Sequence, residues 1–146
     1  MLIVVATAEE YREAKKRYKG ENIIKTGVGF GNVYRALSKV DRNTKILNFG
    51  YAGSNTIPIG TTCRVGISEN YHPNVEFNEK RYRLKNGGYK CLTNNDFVLT
   101  TDIQEPVLFD MELYAIMSMG FKRVESIKIV SDNLNLNQYK KEIQND

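Results

Sequence analysis

The sequence has few cysteines and no long apolar run, and these absences exclude several classes of protein. Two cysteines, Cys63 and Cys91, occur in 146 residues. Their spacing matches no metal site and no secretory context is evident, so we expect reduced buried thiols, with neither a disulfide nor a bound metal. No segment approaches the roughly 18 apolar residues of a membrane span. The apolar start lacks a basic leader and a cleavage site, so we expect a cytoplasmic protein with no membrane partner.

Charge and composition indicate one ordinary globular domain spanning residues 1–146. The chain has 21 lysines and arginines against 17 acidic residues, and 41% of its residues are hydrophobic. The basic residues are spread among the acids rather than gathered in one patch, so a nucleic-acid partner rests on net charge alone and is not expected. No internal repeat or low-complexity segment interrupts the chain. A single packed domain is therefore expected.

Short apolar segments alternate with helical stretches along most of the chain. The patterns predict strands over residues 2–6, 22–25, 45–49, 62–67, 89–92 and 127–130, and helices over residues 8–18, from 32 to about 40, and 110–119. Glycines at 50 and 53 are expected to stop the third strand. Residues 74–86 are read as loop or edge structure, and the tail after residue 133 has room for a short helix only. Together these elements predict an α/β fold, a three-layer sandwich with a mostly parallel or mixed central sheet.

Polar residues and glycines cluster in the turns that follow four predicted strands. These turns hold Glu9 and Glu10, residues 27–32, residues 50–53 and residues 131–133. The carboxyl ends of parallel strands meet at one edge of a sheet, so the four turns are expected to converge on a ligand. Each acid also has a structural explanation, since acids cap helices and complement helix dipoles. The glycine run from residue 27 lacks the last glycine of a dinucleotide-binding motif, so that site is excluded.

Taken in order, these segments resemble the purine nucleoside phosphorylase and nucleosidase superfamily, particularly its methylthioadenosine/S-adenosylhomocysteine nucleosidases. The matching segments are an acidic cluster after the first strand, a T-G-x-G turn, an I-N-x-G-x-A-G segment, a T-G-D-x-F segment, an acidic-Met-Glu-x-x-A helix and a strand ending in Ser-Asp. They correspond here to residues 4–10, 26–29, 47–53, 93–98, 110–115 and 129–133. The resemblance covers the chain from end to end and implies a nucleoside phosphorylase-like fold.

The resemblance also implies a role for individual residues in cleaving a purine N-glycosidic bond. Asp132 would be the general acid that protonates the purine, and Glu112 would hold the ribose hydroxyls. Glu10 would be the general base for water; an ungapped alignment puts Tyr11 at that position, and a one-residue shift brings Glu10 there. The residues implied to bind substrate are Met111, Phe97, Val98, Tyr51, Ala52, Gly53 and Lys128. Lys128 stands where the family has an arginine, which keeps the charge but loses the planar fork of donors.

Three functions remain open: a purine nucleosidase, a purine or uridine phosphorylase, and a degenerate nucleoside-binding module. Hydrolysis is favoured because Tyr51 replaces the serine usual in phosphorylases and no arginine-bearing phosphate loop follows the first strand. No cofactor is expected, and phosphate would be a co-substrate only in a phosphorylase. Relative to the family, the chain is trimmed between the first helix and second strand and at the C-terminus. The expected partner is a small purine nucleoside, and by resemblance the chain forms a dimer or larger homo-oligomer.

Overall fold

The computed structural model describes residues 1–72 and 80–135 and contains eight strands and three helices within them. The strands are β1 (Leu2–Val5), β2 (Asn22–Lys25), β3 (Ile46–Ser54), β4 (Thr62–Asn70), β5 (Tyr82–Arg83), β6 (Tyr89–Thr93), β7 (Val107–Asp110) and β8 (Val124–Asp132). The helices are α1 (Ala8–Arg17), α2 (Phe30–Leu37) and α3 (Leu113–Ser118). None of the helices in this part of the chain is long and apolar enough to cross a membrane.

The strands form one mixed sheet in which five strands pair in a closed circuit. β3 pairs with β8 in parallel, β8 with β4 antiparallel, β4 with β6 and β6 with β7 in parallel, and β7 returns antiparallel to β3. β1 and β2 extend the sheet from the first half of β3, all three running parallel. Short β5 pairs with the edge of β4. The expected α/β fold with a mixed sheet is confirmed.

Helices cover both faces of the sheet, and the alternation of side chains along β1 shows how. Ile3 and Val5 pack with Ala14 of α1 in one cluster. Val4, which points to the opposite face, packs in a second cluster with Val33 of α2 and with residues of α3. Side chains alternate between the two faces of a strand, so the apolar residues of β1 pack against helices on both faces of the sheet.

The structure corrects several boundaries predicted from the sequence. α2 begins at Phe30 and ends at Leu37, and β4 continues to Asn70. β3 does not stop at residue 49 but continues through Gly50 and Gly53 to Ser54. The predicted helix over 110–119 is shorter, beginning at Leu113, and it is preceded by β7, a strand that was not predicted. The last strand is longer than predicted and contains Asp132. The short helix expected in the tail lies outside the described residues, as do residues 74–79 of the segment 74–86.

Candidate active site

A pocket with a cavity volume of about 40 Å³, partly open to solvent, lies where the sheet strands end. Nine of the ten residues predicted to form the site line this pocket, namely Glu10, Tyr51, Ala52, Gly53, Phe97, Val98, Met111, Glu112 and Asp132. The turn after β2 also reaches it through Val28. The four turns named from the sequence therefore do converge, as predicted.

Glu10 is held at the pocket by both the start of α1 and the backbone of β3. Thr7 caps the helix, and its Oγ1 accepts a hydrogen bond from the Glu10 amide, while Glu10 Oε1 accepts from the amides of Thr7 (3.2 Å) and Ala6 (2.7 Å). Glu10 Oε2 accepts from the Tyr51 amide at 2.8 Å. Burial raises the pKa of Glu10 to about 7, against the opposing effect of Lys128. The carboxyl group thus titrates near neutrality in a fixed orientation.

Glu10 and its neighbour Tyr11 lie in different surroundings. Glu10 lines the pocket, whereas Tyr11 packs beside Tyr18 against the cluster that includes Ala14 of α1. The one-residue shift in the sequence comparison thus brings the pocket-lining residue to the base position, and its role as a base stays a prediction. A Cβ placed on Gly50 would overlap the Glu10 carboxylate, which explains why this position of β3 has no side chain.

Asp132 ends β8 and is fully buried. Its Oδ1 accepts a hydrogen bond from the Leu134 amide at 2.9 Å, and its Oδ2 accepts from Ser131 Oγ at 2.9 Å. Leu134 adopts a left-handed backbone conformation, with φ of 67°, which is uncommon outside glycine. Burial raises the pKa of Asp132 above its usual value, against the lowering by these hydrogen bonds. The group is therefore disposed to keep a proton.

Glu112 immediately precedes α3 and faces the turn after β2. Its Oε2 accepts a hydrogen bond from the Gly29 amide at 3.0 Å. Burial raises its pKa to about 8, and the nearby charges of Asp110 and Glu10 raise it further than Lys128 and the Gly29 amide lower it. This environment favours the protonated form of Glu112 near neutral pH.

Lys128 is the one predicted site residue that the pocket does not expose. Its side chain is buried, and its Nζ lies 3.0 Å from Asp110 Oδ2. In this structure Lys128 does not line the pocket, because its ammonium is paired with Asp110 behind the pocket wall, and a direct contact with the ligand stays a prediction. Asp110, which lines the pocket and belongs to the same sequence segment as Glu112, was not predicted as a site residue.

Apolar side chains form another part of the lining. Phe97, Val98 and Met111 line it as predicted, and Phe109 and Leu134 join them. Phe109 was missed because it lies within β7, a strand that was not predicted, and Leu134 because it follows β8, whose end was placed too early. No group of three or more metal-ligating side chains is arranged to hold a metal ion within residues 1–72 and 80–135. The site thus combines an aromatic and aliphatic surface with several carboxyl groups.

The sequence matches no protein-family model and no curated protein. Solved structures, in contrast, are similar over nearly the whole chain. The 5′-methylthioadenosine/S-adenosylhomocysteine nucleosidase from S. pneumoniae, solved with a transition-state inhibitor, has a TM-score of 0.79 at 15% identity, covering 97% of this chain and 90% of that chain. The futalosine hydrolase of Helicobacter pylori has a TM-score of 0.77 at 12% identity, covering 99% and 90%.

A third structure gives the same result. The nucleosidase of the same type from Chlamydia trachomatis has a TM-score of 0.75 at 17% identity, and the match covers 97% of this chain and 88% of that chain. At these identities the likeness concerns the fold. The chain therefore has the fold of the methylthioadenosine/S-adenosylhomocysteine nucleosidases, as its sequence motifs predicted.

Proposed function

We propose that this protein cleaves the N-glycosidic bond of purine nucleosides by hydrolysis. The observation that supports this most strongly is the meeting of three carboxyl groups in one pocket with an aromatic ring. Glu10, Glu112 and Asp132 come from α1, the start of α3 and the end of β8, and Phe97 lines the same pocket. Departure of a purine leaves negative charge on the base and positive charge on the sugar, and carboxyl groups can act on both.

Asp132 is the proposed general acid. Its raised pKa favours the protonated form, and proton transfer to N7 of the purine lets the base accept the electron pair of the breaking C1′–N9 bond. Phe97 would stack on the base, because an aromatic face binds purines with little dependence on their substituents. The backbone of Val98 would contact the base edge.

Glu112 and Met111 are proposed to bind the sugar. The two ribose hydroxyls are hydrogen-bond donors, and a carboxylate is an acceptor only. Donors of this kind stabilise the ionised form, so nucleoside binding is expected to lower the pKa of Glu112 from its value of about 8. The ionised group would then also stabilise positive charge developing on the ribose.

Glu10 is the proposed general base. It accepts a proton from water as the water oxygen forms a bond to C1′, which gives free ribose and a free base. With its pKa at about 7, Glu10 is ionised in a substantial fraction of molecules at neutral pH. Three backbone amides hold its carboxylate in place but leave a lone-pair position on Oε2 for water.

Hydrolysis is preferred over phosphorolysis because of the charge of the pocket. Five acidic residues line it, namely Glu10, Asp96, Asp110, Glu112 and Asp132, whereas no lysine or arginine lines it within the described ranges. Phosphate binding normally relies on arginines, lysines or free backbone amides. The lining therefore offers a phosphate anion no cation, whereas neutral water needs none.

The first experiment measures release of free base by chromatography from methylthioadenosine, S-adenosylhomocysteine, futalosine, adenosine, inosine and uridine, each with and without phosphate. Methylthioadenosine, S-adenosylhomocysteine and futalosine are included because solved structures of similar fold are named for them. We expect release from a purine nucleoside without phosphate, and its loss in Asp132→Asn. Asp102→Asn, at an exposed site outside the pocket, is the matched control.

Other outcomes would replace this proposal with another. Strict dependence on phosphate would indicate a phosphorylase. No release from any nucleoside, at protein concentrations that favour oligomers, would contradict enzymatic activity and favour a nucleoside-binding module, which calorimetry would then test. The predicted homo-oligomer is tested in the same samples by sedimentation.

A further inference from the structure

Lys128 occupies an unusual position for a lysine. It is 1% exposed, and among the described residues it is the one buried lysine or arginine. Its Nζ contacts Asp110 Oδ2 at 3.0 Å, although β7 and β8 are not paired with each other in the sheet. The ion pair therefore joins two strands that the backbone does not join. Burial of a charged pair is costly, so a role in stability alone is a weak explanation.

Asp110 connects Lys128 to the beginning of α3. The same Oδ2 that contacts Lys128 accepts a hydrogen bond from the Leu113 amide at 2.8 Å. Its Oδ1 accepts from Thr93 Oγ1 at 2.5 Å, and that hydroxyl oxygen accepts from the Tyr114 amide at 3.1 Å. Two amides of the first turn of α3 are thus held, one directly and one through Thr93.

Glu112 lies between these anchored points. It is the residue directly before α3, and its own carboxylate reaches the Gly29 amide. Any displacement of Asp110 or Leu113 moves the backbone on both sides of Glu112. Lys128 also lies four residues before Asp132 on β8. The ion pair consequently connects the strand that bears the proposed acid with the turn that bears the proposed ribose ligand.

The charges around Lys128 are unbalanced. The groups that act on its ammonium are Asp110 on β7, Cys91 on β6, Glu112 before α3 and Glu10 on α1. Cys91 is a buried thiol whose pKa is raised by burial, so it stays neutral. The ammonium of Lys128 is therefore the one positive charge among three carboxyl groups in this set. Of the three, Asp110 contacts it, with Oδ2 3.0 Å from Nζ.

We propose that Lys128 is a positioning residue for the cleavage reaction: through Asp110 it fixes the backbone that carries Glu112, and it sets how much negative charge Glu10 and Glu112 can hold together. Its effect on turnover rests on the proposed function, whereas its effect on the two carboxyl groups does not. Asp110 holds the ammonium at contact distance, and among the described residues neither Glu10 nor Glu112 forms an ion pair with it. Without the negative charge of Asp110, the ammonium would interact with Glu10 and Glu112 instead.

The direct test is a ¹³C NMR titration of the side-chain carboxyl carbons. In Asp110→Asn we expect the midpoints of both Glu10 and Glu112 to fall by about one pH unit, as expected for removal of a close like charge. The matched control is Glu125→Gln, which removes an exposed acid from the same strand as Lys128. Midpoints that stay at their wild-type values in Asp110→Asn would overturn the proposal. Asp110→Asn is expected to fold because the ammonium regains an ionised partner in Glu10 or Glu112.

Kinetics separate positioning from simple structural support. Lys128→Met is expected to lower kcat at least ~10-fold. Because the carboxyl groups lose their neighbouring cation, their pKa values should rise and the acid limb of the pH profile should move to higher pH. Lys128→Arg keeps the charge and is expected to keep the limb at its wild-type pH. Lower thermal stability without movement of the limb would indicate a structural role only. If Lys128→Met does not fold, Asp110→Asn and Lys128→Arg still test the positioning role of Lys128.

The two proposals fail in different ways. Wild-type protein that releases no base contradicts the proposed function, yet the NMR titration still reports on Lys128. Active wild-type protein with unmoved midpoints in Asp110→Asn contradicts the role of Lys128 and leaves the nucleosidase proposal intact.

Discussion

Asp132 lies directly opposite Gly53 across the parallel pair of β3 and β8, and it uses the space that a side chain at Gly53 would fill. A Cβ placed on Gly53 would be 2.8 Å from Asp132 Oδ1. The register shifts between Ala52 and Gly53, so Ser131 is the extra residue on β8. Such a bulge redirects the side chain that follows it. The proposed acid is therefore placed by a local irregularity of the sheet together with a missing side chain.

Gly53→Ala should displace Asp132 from this position. We expect base release to fall at least ~10-fold and the free energy of unfolding to fall by roughly 1–3 kcal/mol, as is usual when a packed site receives an extra methyl group. Urea unfolding and the chromatographic assay measure the two effects. The control is Gly31→Ala, in α2 with no atom near the added Cβ. It should lower neither base release nor the free energy of unfolding. Full activity in Gly53→Ala would argue against Asp132 as the acid.

The pH dependence of kcat/KM should reflect Glu10. Because a general base acts in its ionised form, activity should increase as pH rises through about 7. Glu10→Gln removes the base and should lower the rate by about 10²-fold or more. Glu9→Gln, the neighbouring helix residue that pairs with Arg12 outside the pocket, should leave the profile in place. If the acid limb persists in Glu10→Gln, the limb arises from the titration of another group.

Stability should decrease between pH 5 and pH 8. The pKa values of Glu10 and Glu112 are raised to about 7 and about 8 in the folded state, so the folded protein binds more protons than the unfolded chain in this window. The free energy of unfolding then falls with rising pH by roughly 3 kcal/mol or more in total, because each tenfold difference in proton affinity between the two states contributes about 1.4 kcal/mol. Asp110, whose pKa is lowered mainly by Lys128 against its burial, acts oppositely and loses its contribution in acid.

Urea unfolding at several pH values tests this dependence. Glu112→Gln mimics the protonated group, so its unfolding free energy should change less between pH 6 and pH 8 than that of the wild type. Glu125→Gln, which alters an exposed acid, should retain the wild-type slope. A wild-type curve that rises steadily from pH 5 to pH 8 would contradict the raised pKa values.

Phe97→Ala should weaken nucleoside binding through loss of stacking. A stacked base contributes about 1–3 kcal/mol, which corresponds to a KM higher by about 5-fold to 150-fold. The effect on kcat should be smaller, since the ring carries no proton and no charge. Leu99→Ala removes an exposed side chain two residues away and outside the pocket, and it serves as the control. Equal effects of the two substitutions on KM would exclude Phe97 as the stacking residue.

Most of the fold and the location of the site could be predicted from the sequence because they follow from local patterns. β2 has the predicted bounds, and β1 and α1 differ from prediction by one residue at one end. Thr7 and Glu10 form the capping box that begins α1. The four segments that carry polar residues meet in one pocket, since the carboxyl ends of adjacent parallel strands lie together, although two of these segments belong to β3 and β8 rather than to turns.

The errors have physical causes that a local pattern does not contain. Gly50 and Gly53 were interpreted as strand-ending glycines, yet they lie within β3 and leave room for the carboxyl groups of Glu10 and Asp132. β7 was not predicted, and only its last residue, Asp110, fell within the predicted helix. The contact between Lys128 and Asp110 joins residues 18 positions apart through the closed circuit of strands, which spacing along the chain does not reveal.

The closed circuit of strands also determines when the site can exist during synthesis. β8 follows the other seven strands in chain order and fits between β3 and β4. Until β8 leaves the ribosome, both neighbours expose unpaired backbone edges, and unpaired edges promote association with other chains. The same strand delivers Asp132 and Lys128. A nascent chain therefore gains its proposed acid, its buried cation and its protection from aggregation in a single late event.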